Sequence, residues 1–493
     1  MVPAPPAIRL SNDVRVQRLS DDTLAAWNRF APAVVLIPES LWDRLCLADE
    51  GPLGLGGIDD ETLTNLQGRG ILAEAGHDTW PARFDGDVRR ALENLDRESA
   101  TFLANRDPYS SLHITNQACN LGCPYCVSRY ARQQESALGR VERDESRWSA
   151  IVQILDQFLE RKRVDSANAT LIDFNGGEFL LEWDLLKRIV SHAESHYPDV
   201  PIHYAMNSNM TLMDAEKAEF LAGHGFRVYA SIDGYQRLHD KSRVHGNGCG
   251  SFREVIRGIR TYNAHRPPTP VGGFQGTIDD IRSFDVEALF RMARFGFREA
   301  RLSPNLLGIT EEEAGRRADF VTRLFERGLN RKLAYVDVYF GSAKTVMNLD
   351  PYSFFFPCIG LSATPTRGLT VNVDALTVSH LCGFASNGAV PWSEMQGDIY
   401  HPAAWRAARA FIRKRYETLR TDCRECDVVG VCRTGCVLTG LDSANQINEA
   451  ACTYQRKMWR NTLELAFRRV QGGRPRRVVG DSRRSVVERE SAH

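Results

Sequence analysis

Leu112–Arg129 read LHITNQACNLGCPYCVSR. The apolar and β-branched start predicts a strand, and the polar run with Gly122 and Pro124 predicts a loop that carries Cys119, Cys123 and Cys126. Outward from this stretch the same rhythm repeats. TLIDFN (170–175), IHYAMNS (202–208), VYASID (228–233), VGGFQGTI (271–278) and ARLSPN (300–305) are short apolar runs separated by amphipathic helical segments. Repeated β-α units build a parallel sheet, open or closed into a barrel, and the loops after its strands converge on one end. An α/β class is expected for residues 109–320, with the first cysteines on a loop of that kind.

The 493 residues carry 62 Lys plus Arg against 62 Asp plus Glu, a balance that points to neither nucleic acid nor an anionic membrane as partner. MVPAPPAIRLSNDVRV lacks the basic start and apolar core of a secretory signal, and no run of about 18 apolar residues follows. A cytoplasmic location is expected. Twelve cysteines there point to metal binding or chemistry rather than disulfides, and ten of them fall at 119–126 and 358–452. Cys46 and Cys249 lie outside both sets and are expected to be small buried thiols.

Cys-x3-Cys-x2-Cys on one loop lets three thiolates face one inorganic core, and three ligands on a [4Fe-4S] cube leave one iron open. The sequence resembles the radical S-adenosylmethionine superfamily, with Tyr125 before the third cysteine matching an aromatic residue near the adenine. Gly176, Gly177 and Glu178 match its GGE motif, SNMTLM from Ser208 resembles TNGTLL with Met210 in place of glycine, and SIDG followed by HDKSR resembles the ribose segment. The resemblance implies a partial (β/α)6 TIM-like barrel. It also implies S-adenosylmethionine on the open iron, cleaved after one-electron reduction to a 5'-deoxyadenosyl radical. Glu178 would receive the cofactor's amino group, Asn209 would lie near it, Ser231 and Asp233 would hold the ribose, and Arg243 would pair with the methionine carboxylate. The alternative for this loop is a structural zinc ion that recruits His113 as fourth ligand.

Cys423, Cys426, Cys432 and Cys436 form Cys-x2-Cys-x5-Cys-x3-Cys, with Cys452 beyond and Cys358 and Cys382 before. Seven thiols are too many for one cluster. The pattern resembles the SPASM extension with two auxiliary iron-sulfur clusters, which implies Cys358, Cys382 and Cys436 at the nearer one and Cys423, Cys426, Cys432 and Cys452 at the farther. The sequence departs from that pattern: 23 residues separate Cys358 from Cys382, Ala375 lies near a usual glycine, and LSATPT supplies no further ligand. An open iron, a smaller core or a non-cysteine ligand at the nearer cluster follows. His380 is one such ligand by position, against its reading as a packing histidine. Zinc is the alternative here as well.

VRVQRL and AVVLIP followed by ESLWDRLCLAD and DDETLTNLQGRG, with the loop GPLGLGG between the helices, suggest a winged-helix module within residues 1–78. The module resembles the PqqD-like peptide-recognition element of ribosomal-peptide (RiPP) maturases, which adds a leader peptide as a strand; a purely structural domain is the alternative. The remaining expected divisions are a linker helix at 79–108, a helical bridge at 321–357, a SPASM domain at 358–462 and a mobile Arg-rich tail at 463–493. The combined resemblance implies oxidative crosslinking of a precursor peptide through a carbon-carbon, carbon-oxygen or thioether bond, with electrons from a donor such as flavodoxin or ferredoxin. Epimerisation is less favoured, because a quenched radical has less need of electron-accepting clusters. Sulfatase-maturase chemistry is the second reading, weakened by Gly383 where that family has Asp after the second SPASM cysteine. A non-catalytic peptide-binding scaffold is the third.

Overall fold

The computed structural model describes residues 8–31, 34–47, 57–74, 79–126, 144–164, 170–265, 273–283, 285, 287, 292–295, 299–306, 308–328, 334–335, 368–380, 393–394, 397–432 and 447–471. Cys358, Cys382 and Cys436 lie outside these residues, as does the chain beyond 471.

The amino-terminal part begins with β1 (Ile8–Leu10), β2 (Val14–Arg18), β3 (Thr23–Asn28) and β4 (Val34–Pro38). Helices α1 (Glu39–Leu47) and α2 (Asp60–Gly68) follow, then β5 (Leu72–Glu74). β2, β3 and β4 form an antiparallel sheet, and β1 pairs with β5. The sequence pattern suggested two strands before the helices, and the structure adds TLAAWN as a central third. Its alternation is hidden because both faces are covered, so Leu24 to Asn28 are all buried. Ala26 and Ile37 pack with Leu45, Leu66 and Ile71 below, while Ala25, Trp27 and Val34 turn the other way.

Helix α3 spans Thr79–Asn105 and leads into the main sheet. There β6 (Ser111–Asn116), β7 (Thr170–Gly176), β8 (Ile202–Ser208), β9 (Arg227–Ser231), β10 (Gly273–Ile278) and β11 (Glu299–Pro304) run parallel in sequence order. β12 (Ala334–Tyr335) extends one edge, and β13 (Gly368–Asn372), β14 (Thr377–Ser379) and β15 (Ser393–Glu394) extend the other. β13 lies parallel to β6 and so covers an edge that would otherwise expose unpaired backbone groups. Among the described residues the sheet remains open.

Period-two alternation gives the sheet two faces of different chemistry. Ile114, Ile172, Phe174, Met206 and Val228 pack against helices, including Ile151, Leu155 and Phe158 of the helix Glu145–Val164. The opposite face carries a polar ladder. His113 Nδ1 is 3.2 Å from Asp173 Oδ2, Asn175 Nδ2 donates to Asp173 Oδ2 at 2.6 Å, and Asn207 donates to Asn175.

Two expected divisions fall inside helices. Residue 320 lies within Glu311–Gly328, and residue 463 within Glu449–Gln471. These two helices pack together, burying Ala318, Val321, Leu324, Met458 and Leu465 in one core. The Arg-rich composition after 463 obscured the apolar side of that last helix, where Leu463, Leu465, Ala466 and Phe467 are buried. Cys46 and Cys249 are exposed rather than buried. Cys46 follows the inward-facing Leu45 on an amphipathic helix, and Cys249 sits in a surface turn where its N–H donates to Asn247.

Candidate functional site

The three thiols of Cys119, Cys123 and Cys126 hang from the carboxyl end of β6 on a loop held from several sides. Gly177 N–H donates to Asn116 O and Glu178 N–H to Ala118 O, each at 2.8 Å. Gln117 N–H donates to Asp374 Oδ2 at 2.7 Å, and Gly122 N–H to Val244 O at 2.7 Å. Asp374 is itself held by Arg147, whose Nη1 is 3.2 Å from Glu182 and whose Nε donates to Val373 O. This guanidinium and both carboxylates are buried, so the start of the cysteine loop rests on an internal ionic frame.

The glycines at 176 and 177 are required by that closeness. Gly176 has φ +104°, and a Cβ there would lie 2.2 Å from Asn116 O; at Gly177 it would lie 2.2 Å from Ala118 O. Met210 takes φ +62° with its side chain fully buried. Replacing it with glycine relieves left-handed strain of about 1–2 kcal/mol but removes a core side chain that contributes about 2–5 kcal/mol. Met210→Gly is therefore expected to lower stability by about 1–3 kcal/mol in a denaturant titration, and a gain would contradict this reading of the strain.

Glu178 is fully buried, and its carboxylate faces inward. It accepts from Asn209 N–H at 2.6 Å, Ser208 Oγ at 3.0 Å and Leu180 N–H at 3.1 Å. Through these bonds the carboxylate braces the turn that presents Asn209. Asn209 Nδ2 donates to Asn120 Oδ1 at 2.9 Å and lies 3.9 Å from Cys119 Sγ.

Burial pushes Glu178 up from 4.5 to about 7, against the three donors. The folded chain then holds a proton that the unfolded chain has lost, so this group's contribution to stability falls as pH rises from about 4.5 to about 7. Up to about 3 kcal/mol is involved. Glu178→Gln is expected to flatten that slope in thermal unfolding measured across pH; an unchanged slope would assign it elsewhere.

Beside the thiols lies a second network. Asp233, just past β9, accepts from Tyr125 Oη, from Arg243 Nε at 3.0 Å and from Thr277 N–H at 2.9 Å. The Arg243 guanidinium lies 5.7 Å from the Tyr125 ring centre. His239 is buried, held neutral at about 4 by desolvation. Its Nδ1 accepts from Asp233 N–H at 3.4 Å, leaving Nε2–H to donate to Ser251 Oγ at 3.0 Å; that hydroxyl in turn donates to Arg243 O at 2.8 Å. Ser231 ends β9 in register with Gln275. The structure thus gathers Tyr125, Asp233 and Arg243, while Arg243 spends its Nε on Asp233. Asp374 and Arg147 were not singled out by sequence because their partners come from distant segments, and His239 because its partners at 233 and 251 meet only when the turn after β9 folds back on the helix that follows it.

The trio's chemistry suits a cluster. Cys119 and Cys126 are half-buried, Cys123 is buried, and none of the three is in a disulfide. Burial pushes Cys123 up to about 11, while the Arg243 charge pulls the other way and favours an anion at this place. Among the described residues, no three Cys, His, Asp or Glu side chains form a ready-made cage for one metal ion. His113 has both ring nitrogens engaged, by Asp173 and by Ser111 Oγ at 3.0 Å, so it is not turned to the cysteine loop as a fourth ligand.

Of the second set, Cys423, Cys426, Cys432 and Cys452 are described, all half-buried free thiols. Burial pushes Cys423 to about 12, and the charges of Cys452 and Cys426 add to the rise. The buried Arg415 guanidinium acts in the opposite sense. His380 is a packing residue: buried, 4.4 Å from the Trp405 ring in a stacked arrangement, with Nδ1 3.0 Å from Tyr109 Oη.

A parallel sheet with this loop at its carboxyl end defines an α/β protein with a thiol-lined site, and residues 114–284 match the family model of the Radical SAM superfamily. The chain carries a Radical SAM domain. An uncharacterized protein of Methanocaldococcus jannaschii is 30% identical over 155 residues, covering 31% of this chain and 48% of that protein. A serine-type anaerobic sulfatase-maturating enzyme of Klebsiella aerogenes is 30% identical over 154 residues, covering 30% of this chain and 35% of the relative. The chain spans about half or less of the length of these curated relatives. The solved structure "Native anSMEcpe with bound AdoMet and Cp18Cys peptide" has a TM-score of 0.54 at 18% identity, covering 73% of this chain and 98% of that one, a likeness of fold. Among the described residues no helix is long and apolar enough to cross a membrane.

Proposed function

We propose that this protein is a radical S-adenosylmethionine maturase that takes a hydrogen atom from an unactivated carbon of a ribosomally made precursor peptide and forms an oxidative crosslink. The observation that carries the reading is the trio of non-disulfide thiols of Cys119, Cys123 and Cys126 on one loop at the carboxyl end of the parallel sheet. When bound there, a [4Fe-4S] cluster with S-adenosylmethionine supplies one-electron cleavage of a carbon-sulfur bond.

The chain's own residues bind and orient. The three thiols would hold such a cluster, and the tight backbone at Gly176 and Gly177 shapes the wall beside their loop. Glu178 sets Asn209, while the Asp233–Arg243–Tyr125 network supplies polar groups for the cofactor's adenosyl and methionyl parts. The polar ladder from His113 to Asn207 gives the same sheet a face suited to a peptide's amides. Cys423, Cys426, Cys432 and Cys452 fit the farther auxiliary cluster; the nearer, with Cys358, Cys382 and Cys436, rests on the SPASM-like order of the sequence. Such clusters would receive the electron released when a substrate radical becomes product, and a flavodoxin or ferredoxin would deliver the first.

The three-stranded sheet followed by α1 and α2 supports the PqqD-like reading, in which a leader peptide joins a sheet edge. A peptide is bound in the fold relative with TM-score 0.54. Formylglycine formation is the second reading, favoured by the sulfatase-maturating relatives and opposed by Gly383 after Cys382.

Iron analysis of anaerobically reconstituted protein should give about twelve irons per chain for three cubes, or about ten if one core holds two. A value near four removes the auxiliary clusters. Incubation with S-adenosylmethionine and a strong reductant should release 5'-deoxyadenosine; none in a sample with full iron would leave only a scaffold.

A further inference from the structure

We infer that the amino-terminal module has a second task besides any peptide binding: it forms one wall of the outer cysteine site and holds the loop from Cys423 to Cys432 in its ligating shape. This rests on reading Cys423, Cys426, Cys432 and Cys452 as cluster ligands.

The loop's grip comes mainly from residues upstream of the main sheet. Trp27 Nε1 donates to Asp427 O at 2.9 Å, and Arg15 Nε to Asp427 Oδ1 at 2.8 Å. Arg29, whose side chain is buried against Asp13 at 2.8 Å, reaches Glu425 Oε2 at 2.7 Å, and its carbonyl accepts from Gly430 N–H at 2.8 Å. Arg424 pairs with Asp85 at the start of α3. Residues 424, 425, 427 and 430 are therefore each tied to the segment 15–85, and all lie between three of the candidate ligands.

Packing closes the same seam. Ala25, Trp27 and Val34 form one apolar cluster with Val428, Trp459 and Leu463, against which Cys426 and Cys432 rest. Phe30, Phe84 and Val88 form another with Leu419 and Val429, against which Cys423 and Cys426 rest. The Trp27 and Trp459 rings meet edge to face at 5.9 Å. A side chain at Gly430 has no room: its Cβ would lie 2.7 Å from Phe30 C and 2.9 Å from Arg29 O. This face of the β2–β4 sheet is thus used for the site, which leaves the strand edges for a peptide.

Gly430→Ala tests the wall without touching a cysteine, because the added methyl pushes the loop off the Phe30 backbone. In full-length, anaerobically reconstituted protein it should lose about four irons per chain while the first cluster still releases 5'-deoxyadenosine without peptide. Trp27→Phe keeps the ring but drops the donor to Asp427, and on exposure to air it should lose iron about fivefold faster than wild type. This milder variant decides if Gly430→Ala fails to fold. Wild-type iron content and air stability in both variants would overturn the proposal. Cys426→Ala is the control for the reading beneath it: if that variant holds as much iron as wild type, the cluster assignment itself falls; if it loses about four irons and the wall variants lose none, only the wall falls.

Discussion

Cys126→Ala is expected to bring release of 5'-deoxyadenosine to background while the chain keeps about eight of about twelve irons. The effect is large because the other two thiols of the loop cannot replace the third: Cys119 and Cys123 are set by backbone held at Asn116, Ala118 and Gly122, with little freedom to regroup. Cofactor cleavage and iron content, measured on the same reconstituted sample, separate loss of the first cluster from general collapse. Full cleavage by this variant would end the proposed assignment of the loop. The retained irons matter equally, because loss of all iron would mean that the cysteine sets are not independent.

Asp233→Ala is expected to destabilise the protein by about 3–5 kcal/mol, the cost of stranding a mostly buried guanidinium. Asp233 takes the Nε of Arg243, the hydroxyl of Tyr125 and the backbone N–H of Thr277, so its removal frees three donors at once. A double variant with Arg243→Met should recover most of that stability, since both charges are then gone, yet bind S-adenosylmethionine weakly. Denaturant titration gives the first quantity and equilibrium dialysis of the cofactor the second. Single-variant stability within about 0.5 kcal/mol of wild type would show that the pair carries no structural weight.

The contacts between the amino-terminal module and the outer cysteine loop also change how a truncation should be read. Removing residues before Thr79 uncovers Val428, Trp459 and Leu463 as well as any peptide site, so lost peptide turnover in such a variant would not by itself locate recognition. Point changes on the outer strand edges are the cleaner probe.

Much of this protein was legible in its sequence because the signals are local. Six apolar runs at helix-sized intervals specified parallel strands, since each β-α unit buries one face against its own helix. The cysteine spacing placed three thiols on one loop after β6, where one short segment fixes their separation. Gly176 and Gly177 were legible as close-approach positions, and the structure names what they approach: Asn116 O and Ala118 O.

Other features depend on pairs far apart in the chain and leave no local trace. The central strand β3 escaped the pattern because both its faces are covered, and the last helix was hidden among arginines. The inward turn of Glu178 toward Asn209, the frame of Arg147 with Asp374, and the docking of Trp27 and Arg29 on the loop at 425–430 join residues up to 401 positions apart. What the sequence determined alone is the class of fold and the thiol set of its loop, because spacing within a few residues is a matter of bond lengths and local turns. What only the tertiary structure decided is which charges are buried together and which surface each module presents, because those depend on where distant segments meet.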